Sequence, residues 1–197
     1  QKQIDKEIEK KENIISDNMW VIDEIAGREL YIEDRSWITT QTIRNKIMEL
    51  SIKDWLDLVV IDQLSLMTWP GKWIRERYDI ITWEIKQLAM EYNVPIILVV
   101  QLLGKEIGKR PWHVPHNDDI KESFKIYEDA DKVFLLNRPM FWNQNDWIET
   151  DEFSDKSLHV YITKNRWGST WEVRLWCDIT KQELHNITDA EASLASF

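Results

Sequence analysis

The sequence predicts an α/β protein with a mostly parallel central sheet flanked by helices. Two runs, Leu56–Asp62 and Ile96–Gln101, are apolar at almost every position and end in a polar residue. Strands that are apolar on both faces are typical of parallel sheets covered by helices, because a strand with one wet face would alternate. A helical pattern over 74–92 joins the two runs into a βαβ unit. We therefore expect Asp62 and Gln101 at the same edge of the sheet.

The amino-terminal third contains weaker signals. Residues 1–18 interleave Lys and Glu with isoleucines at near-helical spacing, which predicts a short amphipathic helix. Leu30–Glu33 is predicted to be a short strand, followed by a turn over 34–37. Thr39 or Thr40 is expected to cap a helix that runs to about Leu50.

The carboxyl-terminal half ends in a predicted β-hairpin. Residues 102–118 are loop-like, 119–128 form a short helix, and Lys132–Asn137 is a third strand. The acids at the ends of that helix, Asp118, Asp119, Glu128 and Asp129, are interpreted as solvated. Alternating patterns over 158–164 and 171–175 surround a turn and form the hairpin. The predicted divisions are a helical lead-in segment over 1–27, an α/β core over 28–177 and an acidic tail over 178–197.

Composition excludes several classes of protein. The formal net charge of -10 argues against non-specific nucleic-acid binding driven by overall charge, although a local basic lining stays open. No run approaches the about 18 apolar residues that span a bilayer, and the first residues do not resemble a signal peptide. A single cysteine excludes an intramolecular disulfide, so we expect a reducing, cytoplasmic setting and no membrane partner.

Tryptophan is abundant and glycine is scarce, with 12 Trp and 5 Gly. Several Trp stand where turns usually have glycine, among them Trp37, Trp69, Trp142 and Trp167. One interpretation is that the source organism reads an opal codon as glycine, since glycine at all twelve Trp positions would raise its share to about 9%, close to the usual share of about 7%. The other is a genuinely Trp-rich protein. The intact mass of the native protein distinguishes the two.

Asp62 has two interpretations from the residues alone. Aspartate is common in turns, so it can simply end the strand. It can also be the Walker B acid of a nucleoside triphosphatase, which holds Mg²⁺ through water. Open α/β sheets bind ligands beyond the carboxyl ends of their strands, where Asp62 is expected.

A set of short segments resembles the DnaB-type replicative helicase family, in its C-terminal RecA-like ATPase domain, over about residues 28–176. The segments occur in the family's order: Leu30–Asp34, Val60–Met67, Lys86–Pro95, Gln101–Leu102, Asp119–Ser123, Asp129–Asp131 and Lys164–Arg166. The resemblance implies a RecA-like P-loop NTPase fold and ATP and Mg²⁺ as cofactors. It also implies a homo-hexameric ring that encircles single-stranded DNA and unwinds duplex DNA during replication, with a primase and a helicase loader as further partners.

The resemblance also implies roles for four residues at a nucleotide site. Asp62 matches the Walker B ligand of the metal-bound water, and Gln101 matches the residue that senses the γ-phosphate and couples it to DNA. Lys164 and Arg166 match a pair that reaches the nucleotide site of the neighbouring subunit. By itself, that pair favours the interpretation of solvated side chains at a hairpin turn, and the matched segments around it reverse this choice.

Three further positions match the loop with which the family contacts the DNA backbone, namely Lys121, Glu122 and Phe124. The family commonly has arginine and glycine at the first and last of these positions. Lys121 keeps the positive charge, whereas Phe124 departs from the pattern. The alternative interpretation of this segment is a solvated loop.

No G-x-x-x-x-G-K-[ST] phosphate-binding motif occurs in the sequence. Gly104–Arg110 imitates it, but with one residue too few between the glycines and with Arg110 at the hydroxyl position. We expect the amino-terminal part of the fold, with the P-loop, to lie upstream, and this chain alone to hydrolyse no ATP. Two alternatives stay open, another RecA-like ATPase of the recombinase or clock-protein type, and a non-catalytic RecA-fold module that binds DNA or a ring partner.

Overall fold

The helices and strands were located in a computed structural model, which describes residues 27, 29–53, 56–68, 74–110, 114–121, 124–138, 157–178, 180–181 and 183–187. The helices are α1 (Thr40–Lys53), α2 (Ile74–Glu91), α3 (Gly104–Ile107) and α4 (Phe124–Asp129), with 3-10 turns at Leu64–Leu66 and Asn117–Asp119. The strands are β1 (Val59–Ile61), β2 (Ile96–Leu98), β3 (Lys132–Asn137), β4 (Ser157–Asn165), β5 (Trp171–Asp178) and β6 (Glu183–Asn186). Two units divide the chain, residues 1–35 and 36–197.

The predicted βαβ unit is confirmed. β1 and β2 pair in parallel, with Ile61 opposite Leu98, and α2 joins them within one residue of the predicted bounds. Two backbone hydrogen bonds continue the pairing beyond the strands: Val99 N–H donates to the Ile61 carbonyl at 3.0 Å, and Leu64 N–H donates to the Val99 carbonyl at 3.0 Å. The carboxyl ends of both strands therefore lie at one edge.

The remaining strands form an antiparallel sheet in the order β3-β4-β5-β6. The predicted third strand has the expected bounds and pairs with β4, and β4 and β5 form the predicted hairpin. β6 lies in the segment predicted as an acidic tail, and it pairs with β5. All four β6 residues are exposed, so the alternating apolar pattern that reveals half-buried strands is absent there.

α1 begins at the predicted cap. The Thr39 hydroxyl accepts a hydrogen bond from the Thr42 backbone N–H at 3.1 Å, which satisfies one of the unpaired donors of the first turn. The helix continues to Lys53, three residues beyond the predicted end.

The core lies against α2. The helical spacing of Ile81, Ile85, Leu88 and Tyr92 predicts a buried stripe on α2. The first three are buried, whereas Tyr92, just beyond the helix end, is half-buried. The larger buried cluster joins α2 to the loop after β1 and to β3, with Leu64 and Leu135 among its members. Full burial of one large apolar side chain stabilises the folded state by about 1.5–3 kcal/mol, so these buried residues hold α2 firmly against the rest of the core.

Three predictions of secondary structure are wrong. The segment over 102–118, predicted as a loop, contains α3 and the first residues of the 3-10 turn at Asn117–Asp119. Leu30–Glu33 is not a strand: residues 29–35 have no helix or strand, and Leu30 and Ile32 are 66% and 80% exposed. An extended segment becomes a strand only when a neighbour supplies ladder hydrogen bonds, and no described strand pairs with it. The helix predicted over 119–128 begins only at Phe124.

The helix predicted over 1–18 lies outside the described residues. The sequence also predicts a turn-rich segment over 138–156, of which the structure describes Arg138 alone. Within the described part of the chain, no helix is both long and apolar enough to cross a membrane.

Candidate functional site

Asp62 follows β1 directly, at the carboxyl edge of the parallel strands. The loop after it is anchored by Leu64 and Met67, which are 2% and 3% exposed. The Asp62 side chain itself is exposed, and among the described residues no hydrogen bond or ion pair involves it. The structure therefore holds the backbone of Asp62 in place while its carboxylate oxygens remain available to a ligand.

Gln101 lies three residues beyond β2, at the same edge as Asp62. Its side chain is exposed, while its backbone carbonyl accepts a hydrogen bond from the Lys121 N–H at 3.1 Å. A β-bridge between Leu102, which follows Gln101, and Ile120, which precedes Lys121, continues this contact. The segment predicted to sense nucleotide and the segment predicted to contact DNA are thus joined through the main chain.

Asp119 braces the segment that leads to Lys121. Its carboxylate, 1% exposed, accepts hydrogen bonds from the Arg110 guanidinium, one of them at 2.8 Å, and from the His116 backbone N–H at 2.6 Å. Burial opposes the charge, but these donors outweigh it and hold the pKa of Asp119 below its ordinary value. The prediction that Asp119 is a solvated helix end is wrong. It is also wrong for Asp129, whose side chain is 15% exposed and accepts a hydrogen bond from the Thr82 hydroxyl at 3.1 Å. No local pattern signals a pair of charges nine residues apart in a loop.

The three predicted DNA-contacting residues have different surroundings. Lys121 is partly buried next to Gln101, and Glu122 lies outside the described residues. Phe124 begins α4, is 54% exposed, and places its ring 5.3 Å from the ring of Tyr127. An aromatic side chain therefore faces solvent where the family commonly has glycine.

Lys164 and Arg166 lie at the end of β4 and in the hairpin turn. The Lys164 ammonium donates hydrogen bonds to the backbone carbonyls of Tyr127 at 2.7 Å and Glu128 at 2.9 Å. It also lies 4.8 Å from the centre of the Tyr127 ring. Desolvation first, and the neighbouring Arg166 charge second, lower the pKa of Lys164. Lys164 thus caps the carboxyl end of α4, where a cation is favourable.

Arg166 is held by Asp131. Its backbone N–H donates to the Asp131 carbonyl at 2.9 Å, and its Nη1 lies 3.0 Å from Asp131 Oδ1. No hydrogen bond or ion pair of the described residues joins Lys164 or Arg166 to Asp62. The predicted site residues therefore form two groups in this chain.

Trp37 has a backbone conformation that is rare for a bulky residue. Its φ is 66°, its side chain is 77% exposed, and its carbonyl accepts a hydrogen bond from the Thr68 hydroxyl at 3.0 Å. The left-handed region favours glycine because other residues meet a Cβ clash there. Trp167 is 73% exposed in the hairpin turn, and Trp69 and Trp142 lie outside the described residues. Position 37 thus supports the interpretation of a codon read as glycine.

Asp62 is also the residue best placed to hold a divalent cation. Among the described residues, no group of three or more His, Cys, Asp or Glu could hold a metal ion. Mg²⁺ commonly binds through one or two carboxylates and otherwise through water and substrate phosphates, so one exposed carboxylate at the sheet edge fits it.

The parallel βαβ unit, with an acid and a glutamine at its carboxyl edge, fits a RecA-like fold. Solved structures agree with this fold. An ATPase domain matches with a TM-score of 0.77 at 23% identity, over 86% of this chain and 59% of that chain. A structure described as a DnaB-like replicative helicase and its interactions with primase gives a TM-score of 0.75 at 23% identity, over 86% and 41% of the two chains.

The family model for the DnaB-like helicase C terminal domain matches residues 2–186, and the chain belongs to that family. A probable replicative DNA helicase of Trieres chinensis is 32% identical over 162 residues, which is 80% of this chain and 35% of the relative. The replicative DNA helicase DnaB of Mycobacterium intracellulare is 33% identical over 163 residues, 79% of this chain and 27% of the relative. The chain thus spans about a third of the length of these curated relatives.

Proposed function

We propose that this chain is the ATPase part of a replicative DNA helicase that forms a homo-hexameric ring on single-stranded DNA and unwinds duplex DNA with ATP and Mg²⁺. The observation that carries the proposal is the family match over residues 2–186. A cytoplasmic setting, and a primase and a helicase loader as partners, belong to the same proposal. So does the division into a lead-in segment over 1–27, a core over 28–177 and a tail over 178–197.

At the nucleotide edge, Asp62 holds the metal-bound water and Gln101 senses the γ-phosphate. The exposed carboxylate of Asp62 supports the first role, because no described group competes for it. When bound, Mg²⁺ neutralises charge on the phosphate oxygens. The exposed side chain of Gln101 supports the second role.

Lys164 and Arg166 act on the nucleotide of the neighbouring subunit. Charge that develops on the transferring phosphoryl oxygens is stabilised by a guanidinium, which arrives only when two subunits are correctly docked. The 49% exposure of the Arg166 side chain, and its lack of contact with Asp62 among the described residues, support action on another subunit.

DNA is bound through Lys121, Glu122 and Phe124. Lys121 supplies a positive charge for a backbone phosphate. Phe124 supplies an exposed ring on which a base of single-stranded DNA can stack. The hydrogen bond from Lys121 N–H to the Gln101 carbonyl offers a direct path by which a shift at the nucleotide edge moves the DNA loop.

The 197-residue chain alone hydrolyses no ATP, because the sequence contains no phosphate-binding G-x-x-x-x-G-K-[ST]. ATP turnover by the purified chain that disappears in Asp62→Ala would contradict this. Strand displacement is measured instead with the protein as encoded by its gene, supplied with ATP, Mg²⁺ and a forked duplex.

The decisive experiment mixes two inactive variants. Asp62→Asn keeps Arg166, and Arg166→Ala keeps Asp62; each alone should lose DNA-stimulated ATP turnover by about 10³-fold. In mixed rings, some interfaces join an intact Asp62 to an intact Arg166, so part of the turnover should return. Arg174→Ala, which removes an exposed arginine of β5, is the matched control and should keep normal turnover.

Two outcomes would overturn parts of the proposal. If mixing restores no turnover, Arg166 does not act on a neighbouring subunit. If the unmodified protein binds single-stranded DNA but neither hydrolyses ATP nor displaces a strand, it is a non-catalytic RecA-fold module.

A further inference from the structure

Arg166 is attached to Asp131 at both its backbone and its side chain. The backbone bond of 2.9 Å fixes where the turn begins. The side chains form an ion pair, with Nη1 3.0 Å from Oδ1, although this buried oxygen accepts no hydrogen bond. Arginine is long and loses considerable rotamer freedom when it is ordered. The backbone bond therefore fixes the base of the Arg166 side chain, and the ion pair draws its charged end towards Asp131.

Asp131 is itself anchored on the long helix α2. Its second carboxylate oxygen, Oδ2, accepts a hydrogen bond from Lys86 Nζ. Both side chains are largely shielded, at 23% exposure for Lys86 and 30% for Asp131. One turn earlier on α2, the Thr82 hydroxyl donates to Asp129 Oδ2 at 3.1 Å. The segment before β3 is thus fastened to α2 at two points.

The same segment holds Lys164, which donates to the Tyr127 and Glu128 carbonyls. Residues 127–131 therefore set the positions of both cations of the pair. Only Arg166 keeps about half of its side chain exposed, so its guanidinium is restrained and still accessible.

We propose that Asp131 is a positioning residue for Arg166: through Lys86 it ties the guanidinium to α2, so that the charge meets the neighbouring subunit's phosphates already oriented. The inference rests on the proposed function, because it concerns the pair that acts between subunits. A transition state is sensitive to misplacement of about 1 Å, so loss of a restraint should reduce turnover rather than nucleotide binding.

The test compares variants of the protein as encoded by its gene, with ATP, Mg²⁺ and single-stranded DNA. Asp131→Asn keeps the shape of the side chain and removes its charge. It should lower kcat by about 10-fold or more while leaving KM for ATP nearly unchanged. Lys86→Met should shift kcat in the same direction, and Asp131→Glu should restore part of the loss. Glu91→Gln is the matched control, since Glu91 also belongs to α2 and forms an ion pair, with Arg44, but contacts neither cation of the pair.

A double-variant cycle separates positioning from a structural role. In an Arg166→Ala background, Asp131→Asn should cause no further loss, because the group that it positions is gone. Equal losses in both backgrounds would overturn the proposal, as would normal or raised kcat in Asp131→Asn. Urea unfolding of each variant identifies a loss that comes from misfolding, and in that event the kcat of Asp131→Glu decides. If the unmodified protein shows no turnover, the proposed function falls and this proposal falls with it; normal turnover by Asp131→Asn overturns this proposal alone.

Discussion

Two regions of the molecule treat their charged and polar side chains in opposite ways. At the open edge, formed by Asp62 and Gln101, the side chains are exposed and no described residue bonds to them. At the held pair, formed by Lys164 and Arg166, each cation is bound by the segment that ends at Asp131.

The difference shows which side chains are ordered by the fold and which become ordered only when a ligand binds. An exposed carboxylate loses little hydration in the folded chain, so it can exchange water for a metal-bound water at small cost. A long cation in solvent would instead lose its rotamer freedom when it meets the nucleotide. We infer that the fold orders Lys164 and Arg166 before any ligand binds, whereas the Asp62 carboxylate is ordered only by the metal-bound water.

The same contrast predicts that charged side chains bonded within the fold, such as Asp119, contribute to stability and that those of the open edge do not. Asp119→Ala removes a buried carboxylate with three hydrogen bonds, so the free energy of unfolding should fall by about 2 kcal/mol. Asp62→Ala and Asp118→Ala should change it by less than about 0.5 kcal/mol. Urea denaturation of the three variants measures this, and an equal loss in Asp62→Ala would break the comparison.

A medium effect is expected from Trp37, whose carbonyl binds Thr68 in the loop after β1. Glycine adopts its φ of 66° without the steric cost of about 1–2 kcal/mol that other residues meet. Trp37→Gly should therefore raise the free energy of unfolding by about 1 kcal/mol after the extra flexibility of the unfolded chain is subtracted. Trp167→Gly, at a position without positive φ, should give no gain. A gain at Trp167 and none at Trp37 would contradict the argument from backbone strain.

The smallest effect concerns His159, near the start of β4. Burial lowers the pKa of His159 from 6.5, although Glu172 Oε1 lies 2.8 Å from its Nδ1. The unfolded chain then binds the proton more tightly than the folded chain, so stability should fall as the pH drops below about 6.5. The free energy of unfolding, measured from pH 7 to pH 5, should depend less on pH in His159→Gln than in His185→Gln. An identical pH dependence in the two variants would show that this histidine does not carry the effect.

Local patterns predicted much of the fold, and long-range pairing limited the rest. β1, α2 and β2 follow from apolar spacing among consecutive residues, and the cap at Thr39 follows from residue type. The strand predicted at Leu30–Glu33 is wrong because strand formation requires a partner elsewhere in the chain. β6 was not predicted because all four of its residues are exposed, so its sequence has no apolar alternation. It is a strand only through its pairing with β5.

The sequence by itself determined the order of the elements and the location of Asp62 and Gln101 at one sheet edge, because hydrophobic periodicity and parallel crossover are properties of consecutive segments. Only the tertiary structure decided which charges are paired. Lys86 and Asp131 are 45 residues apart in the chain and meet on α2, and Asp119 is buried against Arg110. Electrostatic pairing depends on distance and burial in the folded chain, and neither is written in the spacing of residues along the sequence.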